Sequence, residues 1–293
     1  VADAAAGAVV RVAAPAKLNL YLHVVGRRAD GYHLLDTLFA FVACGDVVEA
    51  ALAPDLSLAI DGPFAAALDR GGDNLVLRAA RALDAGAGRG ARLRLIKNLP
   101  VASGIGGGSA DAAATLIALA RLWRLDVDRS RLDAVARTLG ADVPACLRAA
   151  PCHGGGTGAD LVDAAALPSC GVVLVNPGLA LSTPEVFARR RGAFSTPARI
   201  AAAPGDAEAL AAALRMRRND LTPGAIERAP EIAAVLVALE RSRGCLLARM
   251  SGSGATCFGL YRDAGAAAAA ATELRAACAR WWIESTELVG ARG

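Results

Sequence analysis

At 293 residues the chain is long enough for one large domain or two of medium size. Its 32 basic and 28 acidic residues leave a formal charge of only +4, too balanced for a nucleic-acid surface. No apolar run reaches the ~18 residues of a membrane span.

Hydrophobic residues make up 55% of the chain but aromatics only 4%, so large aliphatics and alanine must fill the core. Only Lys17 and Lys97 are lysine; every other basic residue is arginine. A position that stays lysine under such a bias points to a need for a compact ammonium rather than a planar fork. The seven cysteines are odd in number and include no CxxC pair. Cys146, Cys152 and His153 lie close together, but no second ligand pair follows at zinc-site spacing. They read as free thiols behaving as small hydrophobes in a reducing compartment. The opening "VADAAAGAVV" lacks the basic start of a signal peptide, and the expected location is the cytoplasm.

In chain order, "KLNLYLHV" alternates strictly and predicts a half-buried strand. Leu18, Leu20, Leu22 and Val24 share its core face. Lys17 and Asn19 stand side by side on the other face with Tyr21 and His23, about 7 Å apart by the strand rise. "ADGY" signals a turn, and an apolar strand-like run follows to Val42. "RLRLI" alternates again and leads into "LPVASGIGGGSADAAATL". There, four glycines in five positions precede an alanine-rich helix with Leu116, Leu119 and Trp123 at helical spacing. A further helix ends at Gly140, a normal stop. "ADVPACL" restarts helix, with Asp142 at a cap position and Pro144 in the first turn. "CHGGGTGAD" reads as a glycine-rich boundary, dividing the chain into 1–162 and 163–293. The second half reads as a strand from Ser169, helices near Ala207–Leu214 and Ala225–Leu239, and strand-like "CLLARM". The small-residue loop "SGSG", strand "ATCFGLY", a helix from Ala264 to Ala279 and strand "WIESTEL" close it. That order predicts an α+β half.

A helix N-terminus offers unpaired amides and positive potential, a natural place for an anion. Gly104, Gly106, Gly107 and Gly108 remove the side chains that would hold a phosphate chain off, and Ser109 adds a hydroxyl. Asp111 either competes with a phosphate there or makes an ordinary dipole contact. The segment matches neither a Walker A loop nor GxGxxG, which counts against a dinucleotide-binding dehydrogenase.

Three motifs occur in the order seen in the GHMP kinases, named for galactokinase, homoserine kinase, mevalonate kinase and phosphomevalonate kinase. "PAKLNLYL" resembles their first motif, "LPVASGIGGGSADAA" their second, and "MSGSGATCF" their third. The resemblance implies an α+β fold of two domains, a mixed α/β N-terminal half like domain 2 of ribosomal protein S5 and a ferredoxin-like C-terminal half. It also implies ATP with Mg2+. The ATP would lie along Lys97, Pro100, Val101, Ala102, Ser103, Gly104, Ile105, Gly106, Gly107, Gly108, Ser109 and Ala110, with Ser109 the candidate magnesium ligand. Gly252, Ser253 and Gly254 would form the supporting loop.

Within the family, "PAKLNLYLHVVGRRADGYHLLDTLF" and "LGADVP" resemble the branch that phosphorylates the 2-hydroxyl of diphosphocytidyl methylerythritol, in non-mevalonate isoprenoid synthesis. The likeness is weaker over residues 190–245. It implies Asp142 as the base that takes the hydroxyl proton and Lys17 as its partner. It also places the cytosine between Tyr32 and Phe187, with His33 at the base edge. Asn19 and Thr183 would lie around the polyol and phosphates. The partner is then a small molecule, with no nucleic acid or membrane, acted on by a monomer or homodimer. A kinase of the homoserine or mevalonate type would not need Tyr32 and His33, and a non-catalytic nucleotide sensor should lack Lys17 or Asp142. Ala102, Ser103, Ala110 and Asp160 depart from the family pattern.

Overall fold

The computed structural model describes residues 9–68 and 74–289. Most of the opening stretch read for a signal peptide lies outside them. In chain order the elements are β1 (Val10–Arg27), β2 (His33–Leu52), β3 (Leu56–Asp61), α1 (Leu75–Asp84), β4 (Ala91–Ile96), α2 (Gly107–Leu122), α3 (Arg129–Leu139), α4 (Val143–Arg148), β5 (Cys152–Gly155), β6 (Asp160–Asp163), β7 (Gly171–Asn176), α5 (Thr183–Ala188), α6 (Ala207–Arg215), α7 (Thr222–Arg228), α8 (Glu231–Arg241), β8 (Leu247–Met250), β9 (Cys257–Tyr261), α9 (Ala264–Ala277) and β10 (Trp282–Glu287).

They sort into two compact units built from interleaved segments. The first takes the residues up to Pro15, Gly45–Val101 and Gly107–Arg148; the second takes Ala16–Cys44, Ala102–Gly106 and the residues from Ala149 on. The expected division at 162/163 is linear, whereas β1, β2 and the glycine segment each contribute residues to both units.

In the first unit β4 pairs antiparallel with Val47–Leu52 of β2 and parallel with β3, a mixed sheet. Leu93 and Leu95 of β4 are buried, and Arg92 and Arg94 between them are exposed, the period-2 pattern that "RLRLI" announced. Helix α1 starts at Asn74, whose side chain accepts the Val76 amide. It buries Val76, Leu77, Ala79, Ala80 and Leu83. Helix α2 packs against α1, α3 and α4 and is buried nearly all round, which its alanines permit. Trp123 follows its last turn and donates its indole N–H to the Gly90 carbonyl at 3.2 Å.

In the second unit β7 lies between β9 and β10 in an antiparallel sheet of order β10-β7-β9-β8. Helix α9 lays Ala267, Ala270, Ala271 and Leu274 on it at i, i+3, i+4, i+7 spacing. The approach is close: a Cβ at Gly171 would stand 2.8 Å from the Ala267 methyl. Alanine in α9 is therefore a packing choice as well as a helix former.

The structure corrects three expectations here. "CHGGGTGAD" is not a loose boundary but the β5–β6 hairpin, with β5 paired to Thr37–Phe39 of β2. Gly154 is needed because the Phe39 ring stands 2.5 Å from where its Cβ would be. The helix expected over Ala225–Leu239 is two, α7 and α8. Ala229 before Pro230 is forced out of helical conformation (φ −144°, ψ 88°), and the proline starts the next helix. Finally, the strand carrying Lys17 is buried on both faces rather than one, since Lys17, Asn19, Tyr21 and His23 are all buried.

Candidate active site

The second unit brings the three motifs into direct contact. The Lys17 amide donates to the Ile105 carbonyl at 2.9 Å, joining "PAKLN" to the glycine segment. The Ser251 hydroxyl donates to the Gly104 carbonyl at 2.9 Å and accepts the Asn19 amide at 3.1 Å. The Thr256 amide donates to the Ser103 carbonyl at 3.0 Å. The backbones then interlock. Gly104 has φ +77°, and a Cβ there would lie 2.5 Å from the Ser251 carbonyl oxygen and 2.7 Å from Gly254 N. Gly252, at φ +54°, faces the Gly104 carbonyl oxygen in return. These glycines are required by packing between loops, whatever else approaches them. Ala102 also adopts the left-handed region, at φ 51°, a conformation costly for a residue with a Cβ.

Lys17 is enclosed in this framework. Its ammonium donates to Asn19 Oδ1 at 2.8 Å and sits 4.8 Å from the Phe39 ring centroid. Asn19 in turn donates from Nδ2 to the Thr37 hydroxyl at 2.9 Å. The amide expected around the polyol thus orients Lys17. Asn219, in the stretch of weaker likeness, donates to the carbonyls of Met250 and Gly252, both at 2.8 Å, and supports the third motif from below. Ser251, Thr37 and Asn219 were not singled out from sequence. Ser251 and Thr37 lie within the quoted motif stretches but are common residue types whose roles only the fold reveals, and Asn219 reaches the third motif from outside them.

In the first unit Lys97 is fully buried, its ammonium 2.6 Å from Asp46 Oδ2 and 2.7 Å from Asp111 Oδ2. Burial pulls the ammonium down, but Asp111 and Asp46 outweigh it and hold it above its usual range. Burial raises Asp111 to about 7. Asp111 therefore neither competes with an anion nor contacts the dipole; it turns into the core. Lys97, expected along the nucleotide, spends its ammonium on these carboxylates. Ser109, in the first turn of α2, is half-buried, and Gly108 is exposed.

Asp142 stands half-buried directly before α4, and its carbonyl accepts the Cys146 amide at 3.0 Å as the helix's first bond. This is the backbone geometry of a cap position.

Of the residues expected around the acceptor base, Tyr32 follows the turn formed at Arg28–Gly31 and is 66% exposed. Gly31 supplies φ +91° there. Phe187 of α5 stacks on His33, ring centroids 5.0 Å apart at 23°, rather than on Tyr32. Burial, then Arg27 and Arg190, hold the His33 imidazole below its usual range. A neutral ring presents one donor and one acceptor nitrogen. The Thr183 hydroxyl lies 2.9 Å from that of Ser253, which ties the expected substrate residue to the supporting loop.

The residues present fit a nucleotide triphosphate. The segment combines left-handed Gly104 and Gly106, an exposed Gly108 and the start of a sixteen-residue helix. Among the described residues no group of three or more His, Cys, Asp or Glu is placed to hold a metal ion. A magnesium ion brought in on phosphates would find the Ser109 hydroxyl at the start of α2 as a protein oxygen. None of the seven cysteines is joined in a disulfide. Among the described residues no helix is long and apolar enough to cross a membrane.

Comparison with known proteins bears on the same segments. Residues 74–150 match the GHMP kinases N terminal domain and residues 198–280 the GHMP kinases C terminal model. The chain is similar to a 4-diphosphocytidyl-2-C-methyl-D-erythritol kinase of Paramagnetospirillum magneticum, 51% identical over 280 residues, covering 95% of this chain and 98% of that one. A protein of the same name from Cereibacter sphaeroides is 53% identical over 280 residues, 94% of this chain and 98% of its own. A crystal structure of 4-(cytidine 5'-diphospho)-2C-methyl-D-erythritol kinase superposes with a TM-score of 0.77 at 37% identity, over 96% of this chain and 99% of the other. The homoserine kinase of Cytophaga hutchinsonii shares the fold, with a TM-score of 0.75 at 17% identity over 100% and 98% of the two chains. With half its length shared residue for residue with such relatives, and its three motifs interlocked, the chain belongs to the GHMP kinase family.

Proposed function

We propose that the protein transfers the γ-phosphoryl group of ATP to the 2-hydroxyl of 4-diphosphocytidyl-2-C-methyl-D-erythritol, a step of non-mevalonate isoprenoid synthesis, in the cytoplasm and as a monomer or homodimer. The observation that carries it is the joining of "PAKLN", "ASGIG" and "SGSG" by the bonds of Ser251 and Lys17. Phosphoryl transfer asks a protein mainly for alignment and charge stabilisation, and interlocked backbone provides alignment. The main chain from Pro100 to Ala110, through the amides that follow the proline, holds the triphosphate. Magnesium, held on the phosphates with Ser109, would neutralise their charge.

Asp142 takes the proton of the acceptor hydroxyl. Lys17, its ammonium held by Asn19 and packed over Phe39, supplies a fixed positive charge for the reacting groups. Tyr32, His33 and Phe187 hold the cytosine: aromatic rings take its face and a neutral imidazole reads its edge. The His33–Phe187 stack supports a base site in which one ring is already oriented. Thr183 and Asn19 border the polyol and phosphates.

The test is coupled ADP release. It should require both the diphosphocytidyl acceptor and magnesium, and should not occur with homoserine or mevalonate. Release with either of those alcohols would overturn the acceptor assignment, and binding of nucleotide without any turnover would favour a sensor.

A further inference from the structure

Lys97 directly follows β4, and its ammonium joins two carboxylates from distant parts of the first unit. Asp46 spends its second oxygen on main chain: Oδ1 accepts the amides of Asn98 at 2.6 Å and Leu99 at 2.9 Å. These are the first residues of the run into the glycine segment, so Asp46 fixes the direction in which the chain leaves the sheet. Asp111 belongs to α2, the helix into which the same segment runs. The cluster also lies directly beneath the first residue of that helix. A Cβ at Gly107 would stand 3.0 Å from Lys97 Nζ and 3.6 Å from Asp46 Oδ2.

Stability alone does not account for such a group. Removing one ammonium and two carboxyl groups from water is costly, and a buried charged cluster of this kind is often no more stable than packed hydrophobic residues of the same volume. Asp111 Oδ1 is buried with no hydrogen-bond partner, a further cost. What the charges add is direction: short bonds that hold the exit from β4 and the start of α2 in fixed register.

We propose that Asp46, Lys97 and Asp111 are positioning residues, which anchor the glycine segment at both ends and thereby set nucleotide affinity without touching the nucleotide. This rests on the reading of that segment as the triphosphate cradle.

The experiment is direct titration of the full chain with ADP and with a non-hydrolysable ATP analogue, in the absence of acceptor, alongside KM for both substrates. Asp46→Ala removes the acceptor of two amides and is expected to weaken nucleotide binding at least tenfold, with the acceptor KM unchanged within twofold. Asp46→Asn keeps an oxygen for those amides and should recover most of the loss. Asp111→Asn, of nearly the same shape, should fall between them, and it carries the test if Asp46→Ala does not fold. Unchanged nucleotide affinity in the folded variants would overturn the proposal. So would equal rises in both KM values with a lowered Tm, the signature of a merely structural role. If the wild type binds nucleotide yet leaves the diphosphocytidyl acceptor untouched, the proposed function fails and the positioning role still stands or falls on the titration. If the wild type binds no nucleotide, both fail.

Discussion

Ser251 donates its hydroxyl to the carbonyl of Gly104 at 2.9 Å, from a residue 147 positions away. With the Asn19 amide bonded to the same oxygen, one side chain ties the first motif to the second. The contact leaves no room at Gly104, where a methyl would lie 2.5 Å from the Ser251 carbonyl oxygen on a backbone of φ +77°. Gly104→Ala should therefore cost about 2–4 kcal/mol, combining left-handed strain with overpacking. Gly86→Ala is the control, since Gly86 has φ +82° with nothing within 4 Å, and it should cost about 1 kcal/mol. Urea unfolding of the two variants measures the difference. Equal losses would mean that the loops yield and the interlock is not tight.

Asp142→Asn should keep both substrates bound and lower kcat by about two to four powers of ten, the usual contribution of a positioned base. The amide keeps the shape of the side chain, and the Asp142 carbonyl that starts α4 is unaffected. Single-turnover kinetics with binding measured separately is the check. Turnover near the wild-type rate would remove Asp142 as the base.

The sequence pattern foretold much of this arrangement. Both lysines that resisted the arginine bias are buried, each in a site where a compact ammonium meets short-range oxygen partners. The strands of period 2 and the capped helices were likewise local signals. What was not legible came from long-range packing. Nothing local in "CHGGGTGAD" distinguishes a loop from a hairpin whose glycine makes way for Phe39. The burial of Lys17 on a strand covered on both faces depends on partners far away in sequence. Asp46, Ser251 and Asn219 are ordinary residue types whose roles are fixed by what folds against them.

Asp111 makes stability depend on pH with a definite sign. Burial raises its carboxyl to about 7 despite the pull of Lys97, and Asp46 pushes it the same way as burial. Unfolded, it titrates near ~3.9. Between those values the folded chain holds a proton that the unfolded chain has released. The contribution is thus full below about 4 and is lost as pH rises through about 7. Lys97, raised above its usual value, stays charged throughout that window. Asp111→Asn has no such proton to lose. Thermal unfolding at steps from pH 5 to pH 8 should show the Tm of the variant gaining on that of the wild type. Parallel curves would mean that Asp111 is ionised across the whole range.

Tyr32 is 66% exposed at the end of a turn, and the Phe187 ring is already stacked on His33. A large aromatic left in solvent beside an oriented imidazole has no packing role to explain it, so its truncation should be nearly neutral for folding. Under the proposed function it covers a base, an interaction worth about 1–3 kcal/mol per stacked ring. Tyr32→Ala should accordingly raise the KM for the diphosphocytidyl acceptor by roughly tenfold or more, leave the ATP KM within about twofold, and leave Tm unchanged. Phe187→Ala should share the acceptor effect but also lower Tm, because its ring packs on His33 and against the second unit's core. Steady-state kinetics with each substrate varied in turn separates the cases. If Tyr32→Ala raised the ATP KM instead, the exposed ring would belong with the adenine, and the cytosine would have to find its stacking face on His33 and Phe187 alone.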